Sequence, residues 1–134
     1  VLGGLNLTAR DYAKLGELYR HGGRVGDKQI VPADWVAASI RSSAPHLAAG
    51  QVTVGGHKFP FGYGYQWWTY DDGSYAAQGI FGQGIFIDPK RNLVIASNSN
   101  WPKATDPNTV GVQREAFYKA VQAAVDAEAM SRAK

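Results

Sequence analysis

Gln78, Gly79, Ile80, Gly82, Gln83 and Gly84 lie within one stretch, YAAQGIFGQGIFIDP, from Tyr75 to Pro89. The flanks of the stretch alternate like β-strands. Glycine weakens a strand by about 0.5–1 kcal/mol relative to alanine, so three glycines here require a reason. One reading is a glycine-rich hairpin with a bulge. The other is a place where a ligand or another backbone comes close. On the second reading, the main chain at the strand end presents a free N–H to an incoming carbonyl. Such a donor stabilises the oxyanion of acyl transfer by roughly 3–4 kcal/mol in the transition state. Gln78 is then a candidate for hydrogen-bonding a substrate, or else a strand glutamine facing solvent.

A second set of candidates is aromatic. In YGYQWWTY, from Tyr63 to Tyr70, a strand reading puts Tyr63, Tyr65 and Trp67 on one face and Trp68 on the other. These rings form either a hydrophobic wall for a bound acyl group or packing beneath a helix. His21, His46 and His57 are far apart in sequence and have no ligand spacing. No metal or cofactor is implied.

These candidates need a scaffold, and the pattern supplies one. Thr8 and Asp11 have the spacing of a capping box, with Leu7 and Tyr12 placed to form a hydrophobic staple. Tyr12, Leu15, Leu18 and Tyr19 continue as a helical stripe, which Gly22 and Gly23 end. Pro32 predicts the first turn of a second helix carrying Trp35, Val36 and Ile40. Periodicity is lost from Arg41 to Pro60, which reads as a long loop. Four strands follow, over Tyr63–Tyr70, Ser74–Ile80, Gln83–Asp88 and Leu93–Ser99, with turns at Asp71–Gly73 and Pro89–Asn92. A closing helix carries an apolar stripe of Phe117, Ala120, Val121, Ala124 and Val125. The fold class is α+β: an antiparallel meander with flanking helices and a C-terminal helix packed on the sheet.

Composition narrows the function classes. The 134 residues suit one domain, and 45% hydrophobic with 19% charged residues is a globular balance. The net charge of +3 is spread, not blocked, so no nucleic-acid surface is indicated. The absence of cysteine excludes disulfides and a thiol nucleophile without fixing the compartment. No apolar run approaches the ~20 residues of a membrane span.

GGLNLTARDYAKLGELYRHGG, GYGYQWW and YAAQGIFGQGIFIDPKRNLVIASNS, in that order, resemble the C-terminal portion of serine hydrolases of the β-lactamase and penicillin-recognising family. The nearest branch is the class C-like esterases and 6-aminohexanoate-dimer hydrolases. The resemblance runs from Gly3 to about Ser99 and takes in the closing helix. It aligns Ala77-Gln78-Gly79 with the family's Lys-Thr-Gly-like or His-x-Gly-like triplet. The following residue, Ile80, would then give the oxyanion hole its backbone N–H, with Gln78, Gly79, Tyr65 and Trp67 facing substrate. Ala77 stands where the family carries a cation, which favours esters or amides over β-lactams.

The family's Ser-x-x-Lys nucleophile and Tyr-x-Asn motif have no counterpart in the body of the chain. The single Ser-x-x-Lys, Ser131 to Lys134, stands at the C-terminus, where no following helix could bury the lysine. Residues 1–134 therefore read as the C-terminal part of a hydrolase domain whose N-terminal part supplies the serine, lysine and tyrosine. The alternative is a non-catalytic binding module built on the same sheet.

Overall fold

The computed structural model describes residues 5–54, 56–106 and 108–133. Gly3 and Gly4 of the leading motif, Gly55 of the long loop and Lys134 of the terminal Ser-x-x-Lys fall outside the described residues. The first helix, α1, spans Ala9–Arg20. Thr8 caps it by accepting from the Asp11 N–H at 3.2 Å, and the Thr8 hydroxyl donates to the Asp11 carboxylate at 2.7 Å. The Lys14 ammonium, with the Thr8 hydroxyl, holds the Asp11 carboxyl below its ordinary range. Gly22 and Gly23 leave the helix at φ 62° and 84°, a region open to glycine.

A small hairpin absent from the sequence reading follows, β1 (Arg24–Val25) with β2 (Lys28–Gln29). The second helix, α2, spans Ala33–Ser39 with Pro32 as its cap, one residue before the first turn. The long loop is more ordered than its composition suggests. It holds a 3-10 turn at Pro45–Leu47 and a hairpin of β3 (Thr53–Val54) with β4 (His57–Lys58).

The expected aromatic strand is two strands. Strand β5 is Gly62–Tyr63 and β6 is Trp68–Thr69. Between them the chain turns, with the Gly64 N–H donating to the Trp67 carbonyl at 2.8 Å and Gln66 at φ 67°. The cause is the end of α2. The Ser39 carbonyl accepts from the Tyr65 N–H at 2.8 Å and occupies the space a Cβ on Gly64 would need. Strict alternation over Tyr63–Trp68 is therefore lost.

Strands β7 (Tyr75–Gln78), β8 (Gly84–Asp88) and β9 (Leu93–Ser97) complete a five-stranded antiparallel sheet in sequential order, β5-β6-β7-β8-β9. The meander thus has one more strand than expected. Its turns use short acidic side chains. Asp72 accepts from the Ser74 N–H at 2.9 Å and from its hydroxyl at 2.6 Å. Asp88, 1% exposed, accepts from the Lys90 and Arg91 amides, the Arg91 guanidinium at 2.8 Å and Gln122 at 2.7 Å. A buried carboxylate is tolerated when it is so fully bonded.

The last helix, α3, spans Val110–Arg132. Period-two alternation now divides the sheet between the helices. Tyr75, Ile85 and Ile87, with Trp67, form the core on the α1 side, joined by Leu15, Tyr19 and Val94. Ala76 and Phe86 face the other way onto Tyr118 of α3, whose ring stacks on Phe86 at 4.4 Å.

The stripe expected on α3 is turned by about one residue. Phe117 is 53% exposed, and Ala120 and Ala124 are exposed, while Tyr118 is 2% exposed. The inward side runs through Gly111, Arg114, Tyr118, Val121, Gln122 and Val125. A partly polar stripe wins because the sheet offers it polar partners. Tyr70 and Gln78 meet one end of the helix, and Asp72 and Asp88 meet its middle.

Helix α1 lies directly on β8 and β9 through Gly16. A Cβ there would stand 2.6 Å from Val94 Cγ1 and 3.0 Å from Ile85 Cγ2. Gly16→Ala should therefore destabilise the fold by roughly 1–3 kcal/mol, although alanine is the better helix former by about 1 kcal/mol. Chemical denaturation checks this, and a gain in stability would mean the helix does not press on the sheet there.

Candidate active site

The β7–β8 hairpin closes through two backbone bonds. The Gly79 N–H donates to the Gln83 carbonyl at 2.8 Å, and the Gly82 N–H donates to the Gly79 carbonyl at 3.1 Å. Gly82 sits at φ 87°, and neither Ile80 nor Phe81 has positive φ. This is a type I turn followed by a left-handed glycine, the common three-residue hairpin loop. In such a loop the second residue's N–H points away from the ladder. Among the described residues the Ile80 N–H has no backbone acceptor. Its carbonyl accepts from the Thr105 N–H at 2.7 Å, and the Phe81 carbonyl accepts from the Trp101 N–H at 3.1 Å.

Two of the three glycines have their own occupants. A Cβ on Gly82 would overlap the Trp101 indole, and one on Gly84 would stand 2.7 Å from the Tyr118 hydroxyl oxygen. The reading in which all three glycines make way for a ligand is therefore corrected for two of them. Gly82 and Gly84 are seats for aromatic rings. Beside Gly79 the neighbour is the flexible end of the Gln83 side chain.

Gln78 points to the α3 side of the sheet, where its carboxamide is engaged. It donates to the Tyr70 hydroxyl at 3.0 Å and accepts from Arg114 at 2.6 Å. Tyr70 in turn donates to Glu115 at 3.2 Å. Burial, with Glu115 beside it, pushes the Tyr70 phenol well above its ordinary range. The Arg114 guanidinium lies 5.0 Å from the Trp101 ring centre, a cation–π distance. Tyr118 is pushed up to about 12 by burial, and its hydroxyl has no hydrogen-bond partner among the described residues.

A cleft of about 640 Å³ opens at this end of the sheet. Ala77, Gln78, Gly79 and Gln83 form its floor, and Tyr12, Tyr63 and Trp68 contribute aromatic walls. Every residue lining it is uncharged.

Tyr65 and Trp67 are not among those walls. Trp67 is 6% exposed, held between Tyr19 at 4.6 Å and Tyr75 at 5.3 Å in the core. Tyr65 is 46% exposed and stacks on Trp35 at 5.5 Å. The turn at Gly64 separates them, and Tyr63 and Trp68 take the cleft-facing place. Ser131 donates to the Glu128 carbonyl at 2.8 Å. Among the described residues no three His, Asp or Glu side chains gather as metal ligands, and no helix is long and apolar enough to cross a membrane.

A family model described as Beta-lactamase matches residues 2–118. The chain belongs to the beta-lactamase family. A curated relative, the 6-aminohexanoate-dimer hydrolase of Paenarthrobacter ureafaciens, is 32% identical over 110 residues, 80% of this chain. A solved structure from Bacillus anthracis, provisionally named a 6-aminohexanoate-dimer hydrolase, superposes with a TM-score of 0.69 at 30% identity over 88% of this chain. The chain spans 27% of the first relative's length and 29% of the second's. What the kinship establishes is a segment of the beta-lactamase family with this fold.

Sequence reasoning missed Trp101, Arg114 and Tyr70 around the hairpin. A lone tryptophan in the polar loop SNWPKATDPN was the one available signal, because an exposed indole there would be costly. The unpartnered Tyr118 hydroxyl yields a sharp test. Tyr118→Phe should leave stability unchanged or raise it by up to about 1 kcal/mol, since it removes a buried group without a bond. A loss above about 1 kcal/mol in thermal or urea melts would show that the hydroxyl has a partner.

Proposed function

We propose that this chain forms the sheet side of the active site of a serine hydrolase that cleaves ester or amide bonds through an acyl-enzyme. The observation that carries this reading is the Ile80 N–H, which has no backbone acceptor among the described residues and sits at the tip of a hairpin whose base lines an uncharged cleft. The N-terminal part of the same hydrolase supplies the serine, a lysine and a tyrosine. The serine oxygen adds to the substrate carbonyl carbon, and the carbonyl electron pair moves onto oxygen. Ile80 N–H stabilises that oxyanion, together with a donor from the nucleophile's segment. The serine proton passes through the lysine–tyrosine pair to the leaving alcohol or amine as its bond to carbon breaks. Water then hydrolyses the ester so formed.

Gly79 lets the acyl group approach the strand end, where the nearest atoms a Cβ would meet belong to the movable Gln83 side chain. Gln78 borders the cleft and stiffens the strand end through Tyr70 and Arg114. With Ala77 in place of a cation and no charge in the lining, this wall offers no counter-ion to a substrate carboxylate. Esters and amides without a carboxylate beside the scissile bond suit this wall better than carboxylate-bearing β-lactams.

The turn type makes Ile80 unusually testable. Proline is favoured at the second position of a type I turn, so Ile80→Pro should fit the loop while deleting the N–H. In the complete enzyme it should lower kcat for a p-nitrophenyl ester by about 10²-fold or more, with circular dichroism unchanged. Turnover within a few-fold of normal would remove Ile80 from the chemistry. The isolated 134-residue chain should take no label from a serine-directed fluorophosphonate, and stoichiometric labelling would place the nucleophile inside it.

A further inference from the structure

We propose that Trp101 and Arg114 are positioning residues for the hydrolytic reaction, clamping the hairpin loop so that the Ile80 N–H keeps one direction. The inference rests on the reading of that amide as the oxyanion donor. An amide stabilises developing charge only if its dipole is fixed before the reaction. Orientation matters here because a shift of about 1 Å can cost 10²-fold in rate.

Both peptide planes that meet at Ile80 are pinned. The plane carrying the Ile80 N–H also carries the Gly79 carbonyl, which the Gly82 N–H holds at 3.1 Å. The plane carrying the Ile80 carbonyl is held by the Thr105 N–H at 2.7 Å. The first pin depends on Gly82 staying left-handed, and the Trp101 indole sits in the space beside it. The Trp101 N–H also holds the next carbonyl, that of Phe81.

Arg114 ties the two ends of the loop together. Its guanidinium covers the Trp101 ring at 5.0 Å and donates to Gln78 at 2.6 Å, where β7 ends. Its side chain is 14% exposed. Thr105 carries positive φ, 47°. A β-branched residue adopts that conformation only when its surroundings impose it. The 101–105 segment is therefore shaped to the loop and does not merely lie near it.

The test is a cycle in the complete enzyme, with kcat and KM for a p-nitrophenyl ester and the melting temperature read for each variant. Trp101→Ala should lower kcat by about 10–50-fold with KM within about twofold, and Trp101→Phe should recover most of the loss. Arg114→Met should lower kcat by a smaller factor. On the Ile80→Pro background, Trp101→Ala should cost less than about twofold more, because the group it positions is already gone. The clamp is overturned if Trp101→Ala leaves kcat intact, raises KM alone, or multiplies in full with Ile80→Pro. If Ile80→Pro itself keeps normal turnover, the oxyanion reading fails first and the clamp with it. Should Trp101→Ala not fold, the same cycle run with Arg114→Met decides the question, since it keeps the side chain's bulk and removes its charge.

Discussion

Close approach without a side chain in the way is the constraint on which this fold depends. Strand β8 is buried from Gly84 to Asp88, with one helix on each face. Gly16 lets α1 lie against Val94 and Ile85, and Gly84 makes room for the Tyr118 hydroxyl. Gly82 does the same for Trp101 at the loop. The residues that look wasteful in a strand are those that let three layers come together. Their cost in chain entropy, about 0.5–1 kcal/mol each, is small against the burial of Tyr118, Phe86 and Ile87.

The end of the sheet joins a charged network to an uncharged cleft. On the α3 side the network runs from Glu115 through Tyr70 and Gln78 to Arg114 and Trp101. The residues that line the cleft come from both faces of the sheet and carry no charge. Gln78 belongs to both sets. The network can therefore stiffen the strand end while the member that borders the cleft stays neutral.

What could be read in advance was local. The Thr8–Asp11 cap, the acidic turns and the order of β7, β8 and β9 each depend on residues a few positions apart, so pattern alone located them. The break in the aromatic strand was hidden because its cause, the Ser39 carbonyl, lies about 25 positions from Gly64. The tilt of α3 was hidden for a similar reason: Arg114 and Gln122 look solvent-facing until Gln78, Asp72 and Asp88 are placed opposite them. The two-residue hairpins β1–β2 and β3–β4 are too short to carry a period. Around the cleft, glycine density drew attention to the hairpin that carries Gly79 and Ile80. The choice of Tyr65 and Trp67 failed with the alternation on which it relied.

The two rims of the sheet are unequal. Strand β5 is two residues long and runs straight into the turn at Gly64, so it offers little for a foreign chain to copy. Strand β9 presents five residues, Leu93 to Ser97, and among the described residues it has a ladder partner on one side only. An open rim of that length recruits whatever extended peptide is nearby. The unpaired N–H and C=O groups from Leu93 to Ser97 are therefore both this sheet's point of entry for a further strand and, while uncovered, its chief route to clumping.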